Sequence, residues 1–249
     1  MRRQAILSLA VFLLFFGGCS RDGDWVKVKG MIRGGAVERV TLLELEAYDS
    51  RIVARDRLSR GETFGFRVAC EAKGLYLLSA DGGEGIVLVL SPGEEVVVEA
   101  EGIPFGAQYV VSGSPESEQL QTYVMASQER LRALSHVNRL LIDSRAGEGY
   151  AEVHASLTRE MERLFREQKR DAEAFIHAHP SSLSSLVVLN DLFGKKPLFR
   201  EEQDLALMGL LDEGLMQVCP ENKHVMEHHR RVARARQEGV HYKESSDGR

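Results

Sequence analysis

The sequence predicts an α+β protein in two segregated parts, an N-terminal antiparallel β-sandwich or open barrel followed by a C-terminal α-helical hairpin or bundle. Two observations carry this reading. From Trp25 to about Ser112 the apolar residues alternate or come in short runs with turn residues between them, the pattern of strands that bury one face. At Ser114 the apolar spacing lengthens to that of a helix and keeps it to about Gln237,. With 43% apolar residues in 249, the chain has the composition for an ordinary core,.

Residues 1–18 come first and read as a signal. Arg2 and Arg3 precede an apolar stretch from Ala5 to Phe16, and Gly17 and Gly18 stand directly before Cys19, the three-part order of a secretory leader. The apolar stretch falls short of the roughly 20 residues that span a bilayer. Small residues ahead of a cysteine resemble the bacterial lipobox, in which the leader is removed and the new N-terminal cysteine is acylated. On that reading Cys19 is the lipid attachment point, each buried methylene adds about 0.8 kcal/mol of membrane affinity, and residues 19–24 are a polar tether. The alternative is a chance cysteine closing a plain signal peptide or an uncleaved anchor. The expected address is the cell envelope, lipid-anchored to a membrane and facing the periplasm or the cell surface. Loss of Arg2 and Arg3 moves the formal charge by two, from −5 to −7. A mildly acidic chain is a poor candidate for binding nucleic acid, which requires clustered Lys and Arg, so no nucleic-acid partner is expected.

Residues 25–113 form the β part. In "WVKVKGMIR" Val26, Val28 and Ile32 fall on one side of a strand and Lys27 and Lys29 on the other,. "ERVTLLELEA", "RIVARDR", "TFGFRVAC", "GLYLLSA", "EGIVLVL", "EEVVVEA" and "AQYVVSG" follow, which makes seven or eight short strands. The glycines of "DGGEG", Asp81 to Gly85, precede another strand and not a helix N-terminus, so they read as a hairpin turn and not as a phosphate cradle. "SPGEE" is a second tight turn, with Pro92 and Gly93 at its centre,.

Residues 114–237 form the helical part. Ser114 is placed to cap, Pro115 suits the first helical position, and Glu116 complements the helix dipole,. Leu120, Val124, Leu131, Leu134 and Leu141 make one stripe of a long helix, which "RAGEG" ends. A second long helix from about Tyr150 to Ala178 carries Val153, Leu157, Met161, Leu164 and Phe175 on one face, and the pair is expected to pack antiparallel,. The charged run "REMERLFREQKRDAE" reads as a solvated face laced with i to i+4 pairs,. Shorter helices follow in "LSSLVVLNDLF", "REEQDLALMGLLDEGL" and "ENKHVMEHHRRVARARQ", and residues 238–249 are expected to be a disordered tail,.

Few residues suggest chemistry. With Cys19 acylated, Cys70 and Cys219 remain as thiols, free or bridged, and the chain has no C-x-x-C,. Cys70 continues the face set by Phe64, Phe66 and Val68 and should point into the β core,. "HVMEH", His224 to His228, matches the inverted zinc-peptidase pattern: His224 and His228 lie one helical turn apart, and Glu227 is placed to activate water,. Catalytic zinc needs a third protein ligand, and the acids that follow, Glu238, Glu244 and Asp247, lie in the tail. The same residues also read as a histidine-rich polar helix face. No G-x-S-x-G elbow is present, and no cofactor is expected,.

The order of these features resembles a known arrangement. A lipobox, then "G-E-x-F-x-F" at Gly61 to Phe66, "GLYLL", "IVLVLSPGEEVVVE" and "YVVSGSPESEQL", is similar to the β domain of unknown function that opens many Gram-negative thiol:disulfide interchange lipoproteins. "HPSSLSSLVVLNDLF", His179 to Phe193, resembles their helical linker. In that family a thioredoxin-like domain with a W-C-x-x-C motif follows, and nothing in this sequence matches its catalytic cysteines. The resemblance implies an envelope location, this fold and a protein partner in the periplasm or at the surface. The functional expectation is a membrane-anchored, non-catalytic binding or scaffold module, accessory to a thioredoxin-like system. The enzyme alternative is a zinc-dependent hydrolase built on His224, Glu227 and His228.

Overall fold

The computed structural model describes residues 24–247 apart from 35, 36, 59–61, 84, 103 and 148. The expected leader and Cys19 lie outside the described residues. Eight strands come first: β1 (Trp25–Arg33), β2 (Arg39–Leu45), β3 (Ser50–Arg57), β4 (Thr63–Ala69), β5 (Gly74–Ala80), β6 (Gly85–Leu90), β7 (Glu95–Glu101) and β8 (Tyr109–Ser112). They form two four-stranded sheets, ordered β4-β1-β7-β8 and β3-β2-β5-β6. Val26, Val28 and Ile32 of β1, Phe64, Phe66 and Val68 of β4, and Leu42, Leu78 and Leu88 from the second sheet meet in one core. The two inner faces therefore make a β-sandwich. Its β3–β4 corner is nearly closed, by a side chain and not by a ladder: the Gly65 N–H donates to the Asp56 carboxylate at 3.0 Å.

One pairing departs from the antiparallel expectation. β1 and β7 run parallel, with Lys27 opposite Glu95 and Gly30 opposite Val98. The cause is the excursion through the second sheet. β5 and β6 lie there, and the turn at Ser91–Glu94 brings the chain back in the direction of β1, where Gly93 N–H donates to Trp25 O and Lys27 N–H to Glu94 O. On the outer face of β1 Lys27 then finds Glu95 across the sheet, and Arg33 finds Glu99. At the centre of β1, Gly30 is held close on both sides: a Cβ there would lie 1.9 Å from Val98 O and under 3 Å from the Phe64 ring.

Helices cover the outer face of the second sheet. α1 (Pro115–Asp143) and α2 (Tyr150–Ala178) form the antiparallel hairpin, and α3 (Leu183–Leu189), α4 (Glu201–Val218) and α5 (Lys223–Asp247) pack beside it. Leu75 of β5 and Val89 of β6 belong to the helical core with Leu120, Ile176, Leu211 and Val225. β5 and β6 are thus covered on both faces, which is why "GLYLL" and "IVLVL" read as runs and not as alternations,.

Four local expectations change. Ser114 holds the N-cap position of α1 without capping it; its hydroxyl donates instead to Val89 O at 2.7 Å, because β6 passes beside the helix start. Val153 lies exposed, and the buried stripe of α2 is Leu164, Gln168, Ala172 and Ile176, since α1 meets α2 over this C-terminal half. "LSSLVVLNDLF" is not one helix: α3 ends at Leu189, and β9 (Leu192–Phe193) and β10 (Lys196–Pro197) form a small hairpin turning at Gly194, whose φ is 67°. Asp191 fixes this exit by accepting the Leu192 N–H. Finally, the backbone of α5 continues to Asp247, through the residues expected to be a disordered tail, as each added residue closes one more intrahelical bond once the helix is nucleated,.

Candidate functional site

The sequence-predicted residues of the last helix sit at the seam where β2, β5, α3 and α5 meet. Asn222 sets this placement. Its side-chain oxygen accepts from the His224 N–H at 2.9 Å, capping α5, while its amide donates to Lys73 O at 2.9 Å and pins the helix start to the approach to β5,. Lys223 pairs with Glu46 at 2.7 Å, beyond the end of β2. The first turn of α5 is therefore tied to the sandwich at several points.

His224 and His228 do share a helix face, as their spacing requires, but their rings serve opposite walls. His224 Nε2 donates to Leu45 O at 2.8 Å, at the end of β2, and His228 Nε2 donates to Met208 O at 3.0 Å, in α4. With Nε2 carrying the proton in each ring, Nδ1 is the nitrogen that keeps a lone pair. Glu227 has partners of its own: the hydroxyl of exposed Tyr48, and then Arg230, hold its carboxyl below the usual range. Among the described residues no cluster of three His, Cys, Asp or Glu side chains is arranged to hold a metal ion.

Between the two imidazoles lies a cleft of about 480 Å³. Ala47 and Leu75 form its sandwich wall, Leu186 and Val187 the wall from α3, and Asn190, Asp191, Glu227 and Arg231 its polar rim. Arg231 donates to Asn190 Oδ1 at 3.0 Å and is paired with Glu201. The Tyr123 hydroxyl donates to Asp191 at 2.7 Å, and burial raises the Asp191 carboxyl above its ordinary range. Behind it Gln168 donates to Tyr123 Oη and accepts from Arg130, whose guanidinium also pairs with Asp171. His228 is 3% exposed, and burial pushes its pKa down, so the ring is neutral at neutral pH. Its Nδ1 is buried with no partner. The cleft thus offers an apolar wall and a satisfied polar rim, the equipment for holding a small molecule or a side chain,.

The two thiols lie apart from this cleft. Cys70 is 2% exposed in the sandwich core, with its sulfur 3.3 Å from Ala72 O. Cys219 is half-buried at the C-terminal end of α4, and both are free thiols. Burial raises both pKa values, and Lys73 only partly offsets it at Cys219.

Two sets of site residues were not visible in the sequence. The Asn190–Asp191 rim announces itself only as a polar break in the apolar run of "SSLVVLNDLF". The second set is a clamp between α1 and the sheet edges. Ser117 Oγ accepts from Val89 N–H at 2.9 Å and lies 2.8 Å from Val89 O, on the edge of β6. One turn later Gln121 accepts from Val111 N–H and donates to Tyr109 O, on the edge of β8. No protein-family model matches the chain, and no curated protein matches its sequence.

Proposed function

We propose that the chain is a non-catalytic binding or scaffold module of the cell envelope, held at a membrane by lipid on Cys19 and acting beside a thioredoxin-like partner. The observation that supports it is the seam. The residues with the best claim to catalysis, His224 and His228, spend their Nε2 protons joining α5 to β2 and to α4. They brace a cleft whose rim groups Asn190, Asp191 and Arg231 already have partners within the protein. The thiols point the same way, since raised pKa values keep both protonated near neutral pH and poor as nucleophiles,. Thiol chemistry then belongs to a partner, as the resemblance to interchange lipoproteins implies. The zinc-hydrolase alternative requires two rings that serve opposite walls to converge on one point and a third ligand to arrive,.

Metabolic labelling with an alkyne fatty acid tests the anchor. Label and membrane association are expected in the wild type and lost together in Cys19→Ser; a Cys19→Ser chain that stays labelled and membrane-bound refutes it. Crosslinking in the native envelope should capture a thioredoxin-fold protein, and its absence among specific adducts removes the partnership. Stoichiometric zinc that vanishes in His224→Ala/His228→Ala would restore the hydrolase.

A further inference from the structure

The helical hairpin carries a second concavity, separate from the seam. α1 and α2 pack closely where Arg130 and Gln168 bond, then leave a groove of about 790 Å³ toward their connecting turn. Leu131, Leu134 and Leu141 line it from α1, Met161 and Phe165 from α2, and Phe193 closes its floor. Those α1 positions span about 15 Å of helix at 1.5 Å per residue, the length scale of a medium acyl chain. Leu131, Leu141, Met161 and Phe165 are only half-buried, so the apolar wall is built but not covered. The volume falls in the range of about 300–1,000 Å³ typical of small-molecule sites.

The groove also has a charged end of one sign. The β9–β10 hairpin brings Lys195 and Lys196 to its mouth, both exposed, and neither has a carboxylate partner among the described residues. Lys196 Nζ sits 4.1 Å from the centre of the Phe165 ring, which stands edge-on to Phe193 6.3 Å away. This stack joins the cationic mouth to the apolar floor. Glu162 also lines the groove, but Arg166 lies 3.9 Å from its carboxylate. His154 on α2 adds a polar edge. Gly194 lets the hairpin come this close: its φ is 67°, and a Cβ there would lie 3.2 Å from Leu134 Cδ2.

We infer that this groove binds a single-chain fatty carboxylate, its hydrocarbon between α1 and α2 and its carboxylate on Lys195 and Lys196. An apolar trough with two ammonium groups at its mouth, neither paired with a carboxylate among the described residues, suits one hydrocarbon chain with one anionic head. The inference extends the binding-module reading to a ligand class. Its test needs no membrane attachment, so its outcome is independent of the Cys19 experiment.

The test is photo-crosslinking of the full chain in whole-cell lysate with a dodecanoate bearing a diazirine and an alkyne, followed by peptide mapping. Adducts are expected on Leu131–Leu141 and Thr158–Phe165 and should be displaced by unlabelled dodecanoate. Lys195→Gln/Lys196→Gln should require about tenfold more probe, the loss of a charge-assisted contact. Thr158→Trp fills the groove and should abolish labelling while leaving the circular dichroism spectrum unchanged; Ser135→Trp does the same from the α1 side if the first variant misfolds. Adducts scattered over the chain, equal displacement by dodecylamine, labelling unaffected by the groove-filling variants, or a solution dimer that buries the groove between two copies would each overturn the inference.

Discussion

Removing one hydroxyl from the clamp between α1 and β6 isolates its energetics. Ser117 is 1% exposed, and so is Val89. Ser117→Ala deletes the acceptor of the Val89 N–H, whereas Val89 O keeps the Ser114 hydroxyl at 2.7 Å. One buried backbone donor is therefore left without a partner, and little volume changes. An orphaned buried donor costs about 1–3 kcal/mol, and in a chain of this size each kcal/mol lowers the melting temperature by about 2–4 °C. Urea denaturation followed by circular dichroism should show a reduced midpoint with an unchanged slope, because the loss is local to the native state. Ser135→Ala is the control: that hydroxyl is exposed and bonds within its own helix to Leu131 O, so its change should stay within about 0.5 kcal/mol. If Ser117→Ala is as mild as Ser135→Ala, the sheet edge does not depend on the helix and the reasoning fails.

Three further outcomes follow from the same structure. Gly30→Ala should destabilise by about 3 kcal/mol or more, since its Cβ would meet Val98 O at 1.9 Å, while Gly65→Ala, with nothing within 4 Å, should be nearly neutral in the same thermal melts,. His228 is neutral when folded and has a pKa below 6.5, mainly through burial and despite Asp212. Its contribution to stability is present above pH 6.5 and is lost as pH falls, because the unfolded chain takes up the proton first. His228→Gln should flatten that acidic limb in pH-dependent denaturation, and an unchanged limb would assign it elsewhere. In native protein at pH 7 a maleimide should modify half-buried Cys219 faster than Cys70, with Cys70 reacting fully only in denaturant,; equal rates, measured by mass spectrometry, would contradict the burial argument.

The layout was legible where periodicity and burial coincide. Alternation in "WVKVKGMIR" placed Val26, Val28 and Ile32 correctly inside, and the switch at Ser114 marked the start of the helices. It failed where partners distant in the chain decide. Nothing local distinguishes a β7 that returns parallel to β1 from one that returns antiparallel, and nothing near Ser114 reveals that a carbonyl of β6 lies within its reach. The spacing of His224 and His228 showed that the rings share a face but not that Leu45 O and Met208 O claim them. A motif specifies positions along one element; the atoms that consume its valences come from elsewhere.

The α1 clamp also changes what counts as a folding unit. A sandwich whose two sheets end at β6 and β8 has exposed N–H and C=O groups there, ready to recruit another chain. Ser117 and Gln121, one helical turn apart, answer both edges as a surrogate strand would. A fragment stopping at Gly113 would have every strand and yet carry two adhesive borders. Any attempt to transplant the β part, or to replace the helices behind it, therefore has to carry the first two turns of α1 along and supply new cover for Leu75 and Val89 on the outer face of β5 and β6.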